Sequence, residues 1–115
     1  MTPFQKIIEA IKVFGYPYAP DIYKGKEDRY FTYNYVDERV AIYSDNEPDE
    51  ETVSVQIHFF LPASENFIAE KSRIRRALFK HGFTYPEVTV LTEDDTKIRH
   101  IIFECETETE RLEDE

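Results

Sequence analysis

Val53-Ser54-Val55-Gln56-Ile57-His58-Phe59-Phe60-Leu61 is the stretch that decides the fold class. Val53, Val55, Ile57, Phe59 and Leu61 alternate with Ser54, Gln56 and His58. Successive side chains of a strand point to opposite faces, so this period of two describes a strand with one face buried. Phe60 breaks the alternation and predicts partial cover of the second face at that end. Pro62 stops the strand.

Upstream, the aromatic run Tyr30 to Tyr35 and the β-branched and aromatic run Arg39 to Ser44 read as two further strands. Val36-Asp37-Glu38 between them is expected to be a hairpin loop, and Asp45 to Glu50 a polar, proline-containing turn. Downstream, a helix is predicted from about Ser64 to His81. It places Phe67, Ile74, Ala77 and Leu78 on one side and Arg73, Arg76 and Lys80 on the other. Gly82 ends it, and Phe83 folds back over the last turn. Val88 to Thr92 and Ile98 to Cys105 read as a closing hairpin across Glu93 to Thr96.

The N-terminus opens on a helix. Thr2 is a good N-cap, Pro3 suits the first helical position, and Gln5 completes a capping box. Phe4, Ile7, Ile8, Ile11 and Phe14 form its apolar stripe, and Gly15 is a natural stop. Pro17 and Pro20 bar a regular helix in the following segment, Tyr16 to Gly25, which reads as an extended stretch packed along the domain or a neighbour. The element order is α-β-β-β-α-β-β. It predicts an α+β domain with a mainly antiparallel sheet and two helices packed on one face. The single domain is expected to span residues 1–105, with an acidic, mobile tail over 106–115.

Nine Phe and eight Tyr within a 41% hydrophobic composition supply a core for 115 residues and argue against disorder. The net charge is −10, of which Glu104 to Glu115 hold −6. Such a chain is a poor general binder of nucleic acid, because phosphate contacts need Lys and Arg. Cys105 is the single cysteine, so no intrachain disulfide forms. The N-terminus has no long apolar run, so neither a signal peptide nor a membrane span is expected.

Candidate chemistry is sparse. His58, His81 and His100 are scattered, and none stands at metal-ligand spacing from Cys105. His58 and His100 can meet on neighbouring strands, where half-buried strand histidines are the plain reading. The acidic groups at Asp45 to Glu51 and Glu93 to Asp95 fall in turns, where polar residues belong, and lack the spacing of a calcium loop. The three glycines lie far apart and build no phosphate loop. Glu104 and Glu106 flank Cys105 and disfavour a thiolate. We therefore expect no catalytic residue, no metal and no cofactor, and a protein that is not an enzyme.

Two surface features stand out. Arg73, Arg76 and Lys80 form a basic stripe in an acidic chain, either an ordinary solvated face or a docking face for an acidic neighbour. Tyr23, Tyr30, Tyr33, Tyr35 and Tyr43 crowd into the first hairpin and its approach. Strand propensity accounts for part of that enrichment, and interfaces favour the same residue.

Phe14-Gly15-Tyr16-Pro17-Tyr18-Ala19-Pro20-Asp21-Ile22-Tyr23-Lys24-Gly25, leading into Tyr30-Phe31-Thr32-Tyr33-Asn34-Tyr35, resembles small tail proteins of phages and prophages of Gram-positive bacteria. Val55 to Pro62, Gly82 to Pro86 and Arg99 to Cys105 look like the same type. The class resembled is the tail-terminator and tail-completion proteins. That resemblance implies a non-enzymatic subunit of a homo-oligomeric ring, commonly a hexamer. The ring caps the tail tube and offers a surface to the head connector, forming in the bacterial host cytoplasm and residing in the virion tail or neck. Its partners would be further copies of itself, the tail-tube protein and head-connector proteins, with no membrane and no direct nucleic-acid contact. No single residue matches a functional motif of the family. The candidate assembly surface is Arg73, Arg76, Lys80, Tyr23, Tyr33 and Tyr35. The rival expectation, suggested by the net charge, is an acidic phage-encoded inhibitor or nucleic-acid mimic that binds a host or phage factor.

Overall fold

The computed structural model describes residues 1–44 and 47–110, with side chains described over 1–39 and 51–109. The capping box forms as the sequence predicts. The Thr2 hydroxyl accepts from the Gln5 N–H at 3.2 Å, and the Gln5 side chain accepts from the Thr2 N–H at 2.8 Å. Helix α1 runs Pro3–Ile11 and tightens into a 3-10 turn, Lys12–Phe14, which Gly15 closes at φ 81°. A residue with a Cβ is disfavoured in that left-handed conformation.

Five strands make one mixed sheet in the order β1-β2-β3-β5-β4. They are β1 Tyr18–Pro20, β2 Tyr30–Ser44, β3 Glu47–Pro62, β4 Glu87–Glu93 and β5 Ile98–Glu110. Helix α2, Ile68–Lys80, lies between β3 and β4 in sequence. All neighbouring pairs are antiparallel except β1 with β2. The chain is thus an α+β fold, as its element order predicts.

One side of the sheet meets both helices. Phe31, Val53, Val55, Ile57, Phe59, Leu61, Ile101 and Phe103 pack there with Ile7 and Ile11 of α1 and Ile74 and Leu78 of α2. These are the odd-numbered positions of β3 and β5, so the period of two seen in the sequence is the core itself. Phe31 stacks on Phe59 with ring centroids 4.8 Å apart. Among the described residues, the opposite side carries no helix.

Four boundaries differ from expectation. Val36-Asp37-Glu38 is not a hairpin loop: β2 is one strand, and its pairing with β3 slips by one residue between Tyr35 and Asp37. The segment has no Gly, Asn or Pro to take up turn conformations, and a bulge absorbs the extra residue. The extended segment after Gly15 contains β1, which pairs parallel to β2 through Tyr18 with Phe31 and Pro20 with Tyr33. Proline is tolerated there because β1 is an edge. Helix α2 begins at Ile68 instead of Ser64. Residues 63–67 are used as a tether, in which Ala63 N–H donates to the Lys97 carbonyl, Arg99 donates to the Ala63 carbonyl, and the Asn66 side chain accepts from Ile68 N–H. Finally, β5 continues through Glu110, past its expected end at Cys105. Residues 45–46 of the expected turn and 111–115 of the expected tail lie outside the described residues.

A charged cluster locks α2 to the rest of the helical layer. Arg29 donates to Glu70 at 3.0 Å and to the Tyr16 hydroxyl at 3.1 Å, and it also pairs with Glu65. Tyr16 donates to the other Glu70 oxygen at 2.6 Å while its ring stacks on Phe59. Glu70 sits in the first turn of α2, where a negative charge suits the helix dipole.

Candidate functional site

The helix-free face of the sheet is built from the even-numbered positions of β3 and β5 and from Tyr30, Thr32 and Asn34 of β2. A row of rings crosses it perpendicular to the strands. Tyr23 stacks on Tyr30 at 4.5 Å, Tyr30 on Phe60 at 4.8 Å, and Phe60 on His100 at 4.2 Å. Leu91 of β4 stands opposite His100 and extends the row to the sheet edge. Cross-strand pairs of this kind stabilise a sheet and leave ring edges toward solvent. Phe60 is the residue that breaks the alternation in the sequence, and this row is the cover it implies.

Tyr23 reaches the row because the loop after β1 folds over it. The Glu27 N–H donates to the Tyr23 hydroxyl, and a Cβ at Gly25 would collide with the Tyr23 ring and hydroxyl. A surface cavity of about 520 Å³ lies at this end, with Tyr23, Tyr30, Phe60, Glu27, Asp28 and Lys97 in its wall. The Tyr30 phenol is raised above its ordinary pKa by burial, and the charge of Glu93 adds to the effect.

His58 and His100 do meet. His58 Nδ1 lies 2.7 Å from His100 Nε2, and His58 Nε2 lies 2.9 Å from Asn34 Oδ1. Asn34 donates its amide N–H to the Tyr35 carbonyl, which turns its oxygen toward the imidazole. An amide oxygen only accepts, so His58 carries its proton on Nε2 and accepts the His100 proton at Nδ1. Burial, and after it the neighbouring His100, bring the His58 pKa down to about 4. Burial also lowers His100, with Glu93 opposing. The pair is therefore neutral at pH 7, a relay of hydrogen bonds that ends on an amide. Among the described residues, no group of three or more His, Cys, Asp or Glu is arranged to hold a metal ion.

Further along the same face the surface turns acidic. Glu87 of β4 stands directly opposite Glu104 of β5, and both are exposed. Gln56 donates to Glu104 at 2.8 Å. Arg39 donates to Asp37 at 2.9 Å and to Glu106 at 2.5 Å, with Ser54 also bonded to Glu106. Arg39 and Asp37 arrive on this face because of the slip after Tyr35.

The candidate assembly residues fall into separate places. Arg73, Arg76 and Lys80 are exposed on the outer side of α2 and, among the described residues, have no ion-pair partner. Tyr23 belongs to the ring row on the other side of the molecule. Tyr35 is half-buried on the helical side, stacked on Phe4 at 4.3 Å. Tyr33 is corrected: it is only 4% exposed and meets Phe4 edge to face, so it belongs to the core of this chain and not to an exposed surface. Its parity with Phe31 is the signal that would have placed it there. Ile68 and Phe79, each 54% exposed, stand beside the basic stripe. Both fall on the outer side when α2 is plotted at 100° per residue.

No protein-family model matches this chain, and no curated protein matches it in sequence. Among the described residues no helix is long and apolar enough to cross a membrane.

Proposed function

We propose that this chain is a non-enzymatic tail-assembly subunit of a phage or prophage of Gram-positive bacteria. It works as a homo-oligomeric ring that caps the tail tube and joins it to the head connector. The resemblance of Phe14 to Tyr35 and of the later aromatic segments to tail-completion proteins motivates the reading. The observation that carries it is the outer side of α2. Three cations without an ion-pair partner among the described residues and two large apolar side chains stand exposed there, in a chain of net charge −10. Such a mixture is typical of an interface patch with its partner missing.

The test is the mass of the protein in solution, alone and with a phage tail-tube protein. A ring-sized species on tubes, abolished by Arg73→Glu with Arg76→Glu in a folded protein, supports the reading. Normal tube capping by that variant sinks the assignment of the face, and failure of the wild type to associate with tubes sinks the ring.

A second reading draws on β5. Glu104, Glu106 and Glu108 recur at every second position of a regular strand, which spaces them by about 7 Å on one face. Carboxylates regularly spaced on a rigid element are what an inhibitor mimicking nucleic acid requires. Displacement of duplex DNA from a phage repressor or host nuclease by protein lacking residues 111–115 would favour this reading over the ring.

A further inference from the structure

Two surfaces of this chain, the outer side of α2 and the open face of the sheet, lie on opposite sides of the molecule and complement each other. The outer side of α2 offers Arg73, Arg76 and Lys80 beside Ile68 and Phe79. The open sheet face offers the ring row of Tyr30, Phe60 and His100 at one end and the opposed carboxylates Glu87 and Glu104 further along. We propose that α2 of one copy docks on the open sheet face of a second copy, front to back. The proposal rests on the ring reading, and it names the surface that receives the basic helix.

Charge decides the occupant. Glu87 and Glu104 are like charges directly opposite across two strands, an arrangement that is unfavourable by itself. A cation laid between them removes that cost. The same chain holds three cations without carboxylate partners among its described residues, so each copy carries both halves of the pairing.

The dimensions also fit. Ile68 and Arg76 are eight positions apart on the helix, an axial distance of about 12 Å. His100 and Glu104 are four positions apart on β5, about 14 Å along the strand. With α2 laid along the strands and Ile68 on the ring row, Arg76 stands over Glu87 and Glu104. The contact is heterologous, because each copy gives a different face to each neighbour. Such contacts close into a ring or continue as a filament, according to the rotation they impose.

A charge swap tests this. One variant carries Arg73→Glu and Arg76→Glu; the other carries Glu87→Lys and Glu104→Lys. All four positions are exposed, so circular dichroism is expected to match wild type for both. In sedimentation at low salt, wild type self-associates. Each variant alone is expected to associate roughly tenfold or more weakly, because like charges then face each other at both surfaces. An equimolar mixture restores association, since each reversed face then meets its complement. Raising the salt from about 0.05 M to about 0.5 M weakens the wild-type assembly by screening. Self-association that survives both reversals, or a mixture that stays dissociated, overturns the docking geometry and leaves the ring reading standing. A wild type that remains monomeric at low salt, both alone and with tail tubes, overturns the two together.

Discussion

His58 and His100 share one hydrogen bond, 2.7 Å from Nδ1 to Nε2, on the face of the sheet that carries no helix. It joins two neutral rings, and the His58 pKa is depressed from 6.5 to about 4. The unfolded chain therefore binds more protons than the folded one between those values. Stability from this site is complete above pH 6.5 and is lost as pH falls toward 4. Each fully coupled histidine contributes a slope of at most about 1.4 kcal/mol per pH unit in that window. Urea denaturation at successive pH values should show the slope in wild type and a shallower one in His58→Gln. Equal slopes would remove the depressed histidine from the account.

Cys105 is 3% exposed, and its thiol is pushed up to about 12 by burial, with Glu104 and Glu106 adding to the shift. A thiol in that state presents almost no thiolate at pH 8. Labelling by iodoacetamide should track global unfolding, being slow in buffer and fast in denaturant. Rapid labelling of the folded protein would contradict the buried placement on β5.

Arg29 has three partners, Tyr16, Glu65 and Glu70, and is itself 21% exposed. Arg29→Ala strands a half-sheltered carboxylate and should cost about 2–3 kcal/mol in denaturation midpoints at constant m. Tyr16→Phe removes one hydroxyl and should cost about 1 kcal/mol. The double variant is expected to fall short of the sum, because the two share Glu70. Strict additivity would show that the cluster does not act as a unit.

Gly25→Ala places a methyl group where the Tyr23 ring and hydroxyl lie. Tyr23 must then leave Tyr30, at a cost of about 1–3 kcal/mol if the loop resists. Near-ultraviolet circular dichroism and the ring-current shifts of Tyr30 should report the loss. An unchanged Tyr30 spectrum would mean that the loop yields instead.

Local rules carried most of the fold. Thr2, Pro3 and Gln5 specify a helix start by their own hydrogen bonds, and the alternation from Val53 to Leu61 needs only a period. The strand through Val36 is not legible locally, because a bulge and a loop differ by a pairing partner, Ser54, that lies 16 to 18 residues downstream of Val36-Asp37-Glu38. The parallel pairing of β1 was hidden for the same reason, since Pro17 and Pro20 argue against helix but are silent about which strand they join. Of the site, the basic stripe of α2 was legible from helical spacing. The ring row was only half legible: Phe60 announced cover on the second face, but Tyr23 enters it through a loop whose path no periodicity encodes.

The slip at Val36 has one more consequence. Before it, even-numbered residues of β2 share the open face with Phe60; after it, Asp37 and Arg39 do, which is how Arg39 comes to meet Glu106. Val36 is thus the unpaired residue of a bulge, and two further register shifts follow it in β2, between Val40 and Ile42 and between Ile42 and Tyr43. Deleting Val36 would let Asp37 follow Tyr35 in regular register opposite Ser54, so Asp37 and Arg39 would keep the open face and their contacts while the bulge disappears.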